Sequence, residues 1–374
     1  MLVQTPPMGW NSWNTFGENI NEQVVRDTAD AIVNLGLRDA GYEYVVIDDC
    51  WSMRKRDENG RLVANPEKFP SGMKALADYV HSKGLKFGIY SCVGFLTCAE
   101  YPGSFDHEFI DAETFAEWGV DYLKYDFCYK PGRADGALLY HRMGLALRQT
   151  GREILFSACN WGREDVEKWI RSAGAHIYRS TGDIGDNFQS YKEIAVSQFN
   201  NLAYSTPGCF NDIDMLICGM HGNGNVALGG CTEAEYRTHF AMWCLFNSPL
   251  MIGCDLSKID DECLALLKNK ELLSINQDIE ARPPMKLTRD GDDRTVFFRH
   301  LSNGEYILAF FNLTDCDRTM YQGLFDVGLP YDGGYGFTGY EIFTGEKLEG
   351  ERERVIVDVP MHDCRLFRLK LTKI

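Results

Sequence analysis

At 374 residues the chain exceeds one average domain and suits a large domain with a small companion. Its 45% hydrophobic and 25% charged content supports a sizeable core, and no run of about 18 apolar residues is present that could span a bilayer. A formal charge of -16, with no lysine and arginine cluster to offset it, disfavours nucleic acid as a partner and suits a neutral or cationic small molecule.

The first residues, Met1-Leu2-Val3-Gln4-Thr5-Pro6-Pro7, lack a basic segment, an apolar segment and a cleavage site, which predicts a cytoplasmic protein that is not exported. Eight strand-like segments follow: Met8 to Trp13, Tyr44 to Cys50, Lys86 to Cys92, Tyr122 to Cys128, Ile154 to Asn160, Ile177 to Asp183, Cys209 to Leu216 and Leu250 to Leu256. Helical patterns come after most of them. Asn21 can cap a helix carrying Val24, Ala31, Ile32 and Leu35, with Gly36 at its end. A second helix is expected from Met73 to Lys83, and Thr232-Glu233-Ala234-Glu235 matches a capping box that opens a helix through Leu245. Eight strands alternating with helices predict a parallel sheet closed into a (β/α)8 barrel, an α/β TIM barrel.

At Ala281-Arg282-Pro283-Pro284 two prolines end the helical region, and the pattern then alternates with period two. Thr295 to His300, Tyr306 to Asn312, Tyr340 to Phe343, Arg354 to Val359 and Cys364 to Leu371 read as antiparallel strands. The expected division is a barrel over 1–282 and a C-terminal antiparallel β-sandwich over 283–374. Asn312-Leu313-Thr314 is a glycosylation sequon by composition, but its place in an apolar strand makes it a chance match. Thirteen cysteines, an odd number with Cys218, Cys244 and Cys254 inside apolar runs, suit buried thiols in a reducing compartment rather than a disulfide framework.

In Tyr122-Leu123-Lys124-Tyr125-Asp126-Phe127-Cys128 the two charged residues are two apart and share one face of a strand. Two readings stay open: a strand-end ion pair, or a carboxylate kept ionised by an ammonium and used as a nucleophile. The C-terminal strand ends of a barrel form its active face. Strand 2 ends there in Asp48-Asp49-Cys50-Trp51 and strand 6 in Arg179-Ser180-Thr181-Gly182-Asp183, while strand 7 carries Asn211-Asp212-Ile213-Asp214. Trp13, Tyr90 and Trp161 fall at or just past the ends of strands 1, 3 and 5.

Acids ringed by aromatics suit a sugar, whose hydroxyls donate to carboxylates and whose C–H face lies on flat rings. Asp126 and Asp183, facing each other across the barrel mouth, are the paired acids a glycosidase needs. Metal-dependent hydrolysis fits poorly, because His81, His107, His141, His176, His221, His239, His300 and His362 lie mostly in helices, loops or the C-terminal domain. No metal and no cofactor is expected. Gly222-Asn223-Gly224-Asn225 contains no lysine or arginine and reads as a rim loop rather than a phosphate cradle.

Taken in order, Met8-Gly9-Trp10-Asn11-Ser12-Trp13, Asp39 to Tyr44 leading into Ile47-Asp48-Asp49-Cys50-Trp51, His81 to Lys86, Tyr122 to Cys128 and Asp212-Ile213-Asp214-Met215-Leu216 resemble the α-galactosidases of glycoside hydrolase family 27, a retaining group of clan D. The resemblance spans nearly the whole chain and implies the same barrel and β-domain. It implies Asp126 as nucleophile and Asp183 as general acid/base, with Asp126 kept ionised beside Lys124 and Asp183 holding a proton. By the same resemblance Asp48 and Asp49 would meet the 4- and 6-hydroxyls of galactose and Lys124 and Arg179 the 2- to 4-hydroxyls. Trp13, Tyr90 and Met215 would form the pocket wall.

There are departures. The secreted members pair the cysteine after the two aspartates with one near the first strand, where this chain reads Phe16-Gly17-Glu18, so Cys50 is expected to be unpaired. Cys98 and Cys128 match another family disulfide and are expected close in space, yet the fold is not expected to depend on it. Strand 7 has Cys209-Phe210 and Ile213 where the family usually has glycine-tryptophan and proline. In Cys159-Asn160-Trp161-Gly162, Trp161 is expected to fill the space that relatives accepting N-acetylgalactosamine leave open, while Cys159 or Asn160 meets a 2-hydroxyl. The expected substrate is a small α-galactoside, ahead of a β-L-arabinopyranoside or an α-N-acetylgalactosaminide. A sugar-binding protein that has lost catalysis is the reading from another class, and the full set of site residues speaks against it.

Overall fold

The computed structural model describes residues 2–289, 291–351 and 353–374. Eight parallel strands form the first unit: β1 (Met8–Asn11), β2 (Tyr44–Val46), β3 (Lys86–Cys92), β4 (Tyr122–Asp126), β5 (Leu155–Cys159), β6 (Ile177–Arg179), β7 (Phe210–Asp212) and β8 (Leu250–Ile252). Each pairs with its sequence neighbour, and β8 returns to β1. The ring closes just past β7, where Leu216 bridges Ile252: Leu216 N donates to Met251 O at 2.8 Å and Gly253 N donates to Leu216 O at 3.0 Å. The strand interiors are buried, as both faces of a helix-covered parallel sheet must be.

Most strands stop earlier than the sequence pattern predicts, because the polar residues at their ends leave the ladder. Asp48 Oδ1 accepts the Asp49 N–H at 2.9 Å and Asp49 Oδ1 accepts the Cys50 N–H at 2.7 Å, and Cys50 turns to φ 70. These local bonds replace sheet pairing and end β2 at Val46. Trp13 likewise opens a short helix rather than ending β1.

Helix signals are realised at the expected places. Asn21 caps Glu22–Asn34 by accepting the Val24 N–H at 3.0 Å, and Gly36 takes the left-handed conformation beyond it. Thr232 and Glu235 bond reciprocally, at 3.3 and 2.7 Å, at the start of Glu233–Leu245. That helix is buried continuously from Thr238 to Leu245, because it lies between the barrel and the second unit.

The second unit contains β9 (Met285–Lys286), β10 (Arg294–His300), β11 (Tyr306–Asn312), β12 (Arg318–Gly323), β13 (Tyr335–Glu341), β14 (Lys347–Glu351), β15 (Arg354–Val359) and β16 (Cys364–Lys373). Six of them form an antiparallel sheet in the order β14-β13-β16-β11-β10-β9, and β12 pairs with β15. Period-two alternation splits the six-stranded sheet into two buried faces. Val296, Phe298, Leu308, Phe310 and Leu369 pack with Met320, Val355 and Val359 of the small sheet, whereas Phe297, Ile307, Ala309, Phe311 and Leu366 join the barrel core. Arg237 clamps this junction with a two-pronged pair to Asp363 at 3.0 and 2.8 Å.

Sequence patterning misses β9, β12 and β14. The first has two residues, and the other two carry polar, largely exposed side chains that give little apolar alternation. Asn312 of the sequon is fully buried and donates to Val359 O and Pro360 O at 3.0 Å, in keeping with a chance match.

Candidate active site

Strand register sets the site. Cys92, Asp126, Cys159, Arg179 and Asp212 stand level across β3 to β7, and two residues deeper Tyr90 pairs with Lys124. Because alternate residues of a barrel strand point inward, both rows contribute to one cavity at the C-terminal strand ends. The cavity is lined by Trp13, Asn14, Asp48, Asp49, Tyr90, Cys98, Lys124, Asp126, Cys159, Trp161, Arg179, Asp183, Asp214 and Met215.

Asp126 is only 6% exposed. The Tyr90 hydroxyl donates to its Oδ2 at 2.9 Å and the Phe127 N–H to its Oδ1 at 2.8 Å. Lys124 shares its face, as the strand period requires, but its ammonium is held by Asp48 Oδ2 at 2.8 Å. Asn11 Nδ2 donates to the same oxygen at 2.8 Å. Lys124 nonetheless favours the ionised form of Asp126, in the direction expected, while it is bonded to Asp48. Burial raises Asp126 to about 6, and Lys124, Phe127 N–H and the Tyr90 hydroxyl offset only part of that penalty. Burial also opposes the charge on Lys124, yet the surrounding acidic groups, Asp48 first, push it well above its ordinary value and keep it cationic.

Across the mouth, Arg179 is almost fully buried and reaches three ways. Nη2 donates to Asp183 Oδ1 at 2.9 Å and to Gly182 O at 2.6 Å, Nη1 meets Asp214 Oδ1 at 2.7 Å, and Nε donates to Thr181 Oγ1 at 3.2 Å. Asp183 has a 77% exposed side chain. Partial desolvation would raise its pKa, but Arg179 and Lys124 outweigh that and hold it below its ordinary value. Asp183 is therefore ionised near neutrality, contrary to the expectation of a standing proton. Asp214, buried and facing Asp183 and Asp212, is pushed up to about 6, burial being the largest cause.

Asp49 spends both oxygens on the protein, accepting from Thr97 Oγ1 at 2.9 Å, Ala99 N at 3.0 Å and Cys50 N at 2.7 Å. It thereby fixes the loop carrying Cys98. A disulfide joins Cys98 to Cys128, with 5.3 Å between their Cα atoms, beside the carboxylate of Asp126. The two cysteines are close in space, as expected. The other eleven cysteines are free, Cys50 among them. Gly162 lets the loop after β5 lie against the loop after β6, since a Cβ there would sit 2.2 Å from Ser180 O. That contact brings Trp161 to the wall near Asp183, with its ring 6.1 Å from that of Phe127.

Asn160 does not line the cavity. It is fully buried and donates to Arg163 O at 2.6 Å, so Cys159 alone of the two faces the sugar space. Burial raises the Cys159 thiol well above its ordinary range, which keeps it neutral. Sequence reasoning placed Asp214 among the polar residues of strand 7 without giving it a role, and it assigned no place in the site to Asn14, for which adjacency to Trp13 was the available signal.

Comparison with known proteins agrees with this architecture. The family model described as alpha galactosidase A matches residues 5–278, and that of the alpha galactosidase C-terminal beta sandwich domain matches residues 291–369. The α-galactosidase of Cyamopsis tetragonoloba is 44% identical over 370 residues, covering 98% of this chain and 87% of that protein. Among solved structures, α-galactosidase I from Mortierella vinacea superposes with a TM-score of 0.90 at 35% identity, covering 98% of this chain and 97% of that one. The α-galactosidase of Saccharomyces cerevisiae solved with raffinose gives a TM-score of 0.90 at 29% identity, with 99% and 98% covered. Matched over both its barrel and its β-domain, the chain belongs to the α-galactosidases of glycoside hydrolase family 27.

Proposed function

We propose that the chain hydrolyses terminal α-D-galactosyl groups of small galactosides with retention, using Asp126 as nucleophile and Asp183 as general acid/base. The observation that carries this reading is the contrast between the two acids within one cavity: Asp126 is buried and held by two donors, and Asp183 is exposed to solvent and paired with Arg179. Asp126 attacks the anomeric carbon, the bond to the leaving oxygen breaks, and Asp183 gives that oxygen its proton. Water then enters, gives its proton to Asp183 and displaces Asp126, releasing α-galactose. The Tyr90 hydroxyl and the Phe127 N–H stabilise the Asp126 carboxylate as it leaves.

Substrate binding lets Asp183 take up its proton from solvent. A sugar covering its carboxyl removes water from the charged form and raises its affinity for a proton, which Arg179 alone would lower. Lys124 and Asp48 form a fixed pair on which hydroxyls can be oriented, and Trp13, Tyr90 and Met215 provide the apolar wall. Proton NMR of the first-formed sugar from an aryl α-galactoside tests the mechanism. α-Galactose is expected first, and β-galactose as the initial product would refute it.

The N-acetyl group of N-acetylgalactosamine must displace Trp161, an overpacking cost of about 1 to 3 kcal/mol. A panel of p-nitrophenyl α-galactoside, α-N-acetylgalactosaminide and β-L-arabinopyranoside is expected to give the highest kcat/KM for the galactoside. Faster turnover of either other glycoside would overturn this specificity.

A further inference from the structure

On the barrel rim, the loop leaving β7 meets the start of a helix that follows β8, and three donor atoms of different kinds converge. His221 Nε2 and Asp260 Oδ2 are 2.5 Å apart, Cys263 Sγ is 4.0 Å from the same nitrogen, and all three atoms lie within 4.8 Å of one another. Asp260 caps the helix Asp261–Leu267, its Oδ1 accepting the Cys263 N–H at 2.8 Å, which leaves Oδ2 for the imidazole. Cys263 is buried whereas His221 and Asp260 are partly exposed, so the cluster is backed by protein and open to water on one side. None of the three lines the cavity that holds Asp126 and Asp183.

Asp260 meets both the His221 imidazole and the Cys263 thiol, so a nitrogen, an oxygen and a sulfur donor face one another at a single point. We propose that His221, Asp260 and Cys263 form a binding site for a borderline-soft divalent metal ion, Zn²⁺ in the first place, with water completing four coordination. The mixed nitrogen, oxygen and sulfur set selects against Mg²⁺ and Ca²⁺, which require oxygen ligands. Zinc bonds of about 2.0 to 2.3 Å place tetrahedral donors roughly 3.3 to 3.8 Å apart. The imidazole and carboxylate must therefore separate by about 1 Å, a movement within reach of the exposed His221 side chain. On binding, the Cys263 thiol loses its proton to solvent and the hydrogen on His221 Nε2 is replaced by one on Nδ1. No electron is transferred.

The ion would fasten the β7 loop to the helix after β8. That loop touches the wall of the sugar cavity, because Asn225 N and Val226 N donate to Asn14 O at 2.8 and 3.2 Å. Gly222 N also donates to Asp186 Oδ2 at 2.6 Å.

The test is an anaerobic titration of the full-length chain with Co²⁺. One Co²⁺ per chain is expected, with a thiolate-to-cobalt charge-transfer band in the near ultraviolet and the visible bands of a four-coordinate ion, all displaced by Zn²⁺. Cys263→Ser should abolish the charge-transfer band and His221→Gln should weaken binding at least about 10-fold. Cys316→Ser, which removes the exposed thiol, should leave the band in place. Zn²⁺ should raise the Tm of the wild type and not that of Cys263→Ser, with aryl galactoside hydrolysis unchanged in each variant. Absence of the band in the wild type, its survival in Cys263→Ser, or wild-type affinity in His221→Gln would overturn the site.

Discussion

Asp183 and Asp214 hold the same guanidinium from two sides, with Arg179 Nη2 at 2.9 Å from one carboxylate and Nη1 at 2.7 Å from the other. The exposed partner is lowered and the buried partner raised to about 6, so the protonation order of the two acids is set by burial and by Arg179 together.

That order predicts an unusual pH profile. Catalysis needs Asp126 ionised and Asp183 protonated, but in the free enzyme Asp126 titrates at about 6 and Asp183 below its ordinary 3.8. The competent form is then a constant minority between those two values and declines as pH rises through about 6. Because kcat/KM reports the free enzyme, its alkaline limb should lie near pH 6, while kcat persists to higher pH once bound sugar has raised Asp183. A kcat/KM that stays level to pH 8 would contradict this assignment.

The two carboxylates can be distinguished by azide. Asp126→Ala should lose about 10⁴-fold or more in kcat, and azide entering the vacated space should yield β-galactosyl azide. Asp183→Ala should lose roughly 10² to 10⁴-fold on substrates with a poor leaving group and less on activated aryl galactosides, with azide yielding the α-galactosyl product. The product anomers, read by NMR, should exchange if the roles are exchanged.

Trp161→Ala should improve kcat/KM for the α-N-acetylgalactosaminide relative to the galactoside by roughly 5- to 150-fold, the equivalent of relieving about 1 to 3 kcal/mol of overpacking. An unchanged ratio would place the 2-substituent elsewhere.

The disulfide spans a sequence separation of 30, for which loop closure alone stabilises by about 3 to 4 kcal/mol. Dithiothreitol should therefore lower the Tm of the wild type by several degrees and leave Cys98→Ser/Cys128→Ser, already lowered, unaffected. Equal melts of the reduced and untreated wild type would show the bond to be dispensable, as the sequence reading expects.

The sequence by itself determined the barrel, the β-domain and most of the residues that line the cavity, because these depend on short-range regularities. Alternation along a strand puts Lys124 and Asp126 on one face, and strand ends put Asp48, Arg179 and Asp183 at one mouth. Tertiary structure decided what each charged group does. Asp48 takes Lys124 from a position 76 residues away, Asp214 takes Arg179, and Asn160 turns from the cavity to Arg163 O. His221 and Cys263 meet although 42 residues separate them. Side-chain partners of this kind, and the proton affinities that follow from their burial, are set by packing between elements distant in the chain, and no local spacing encodes them.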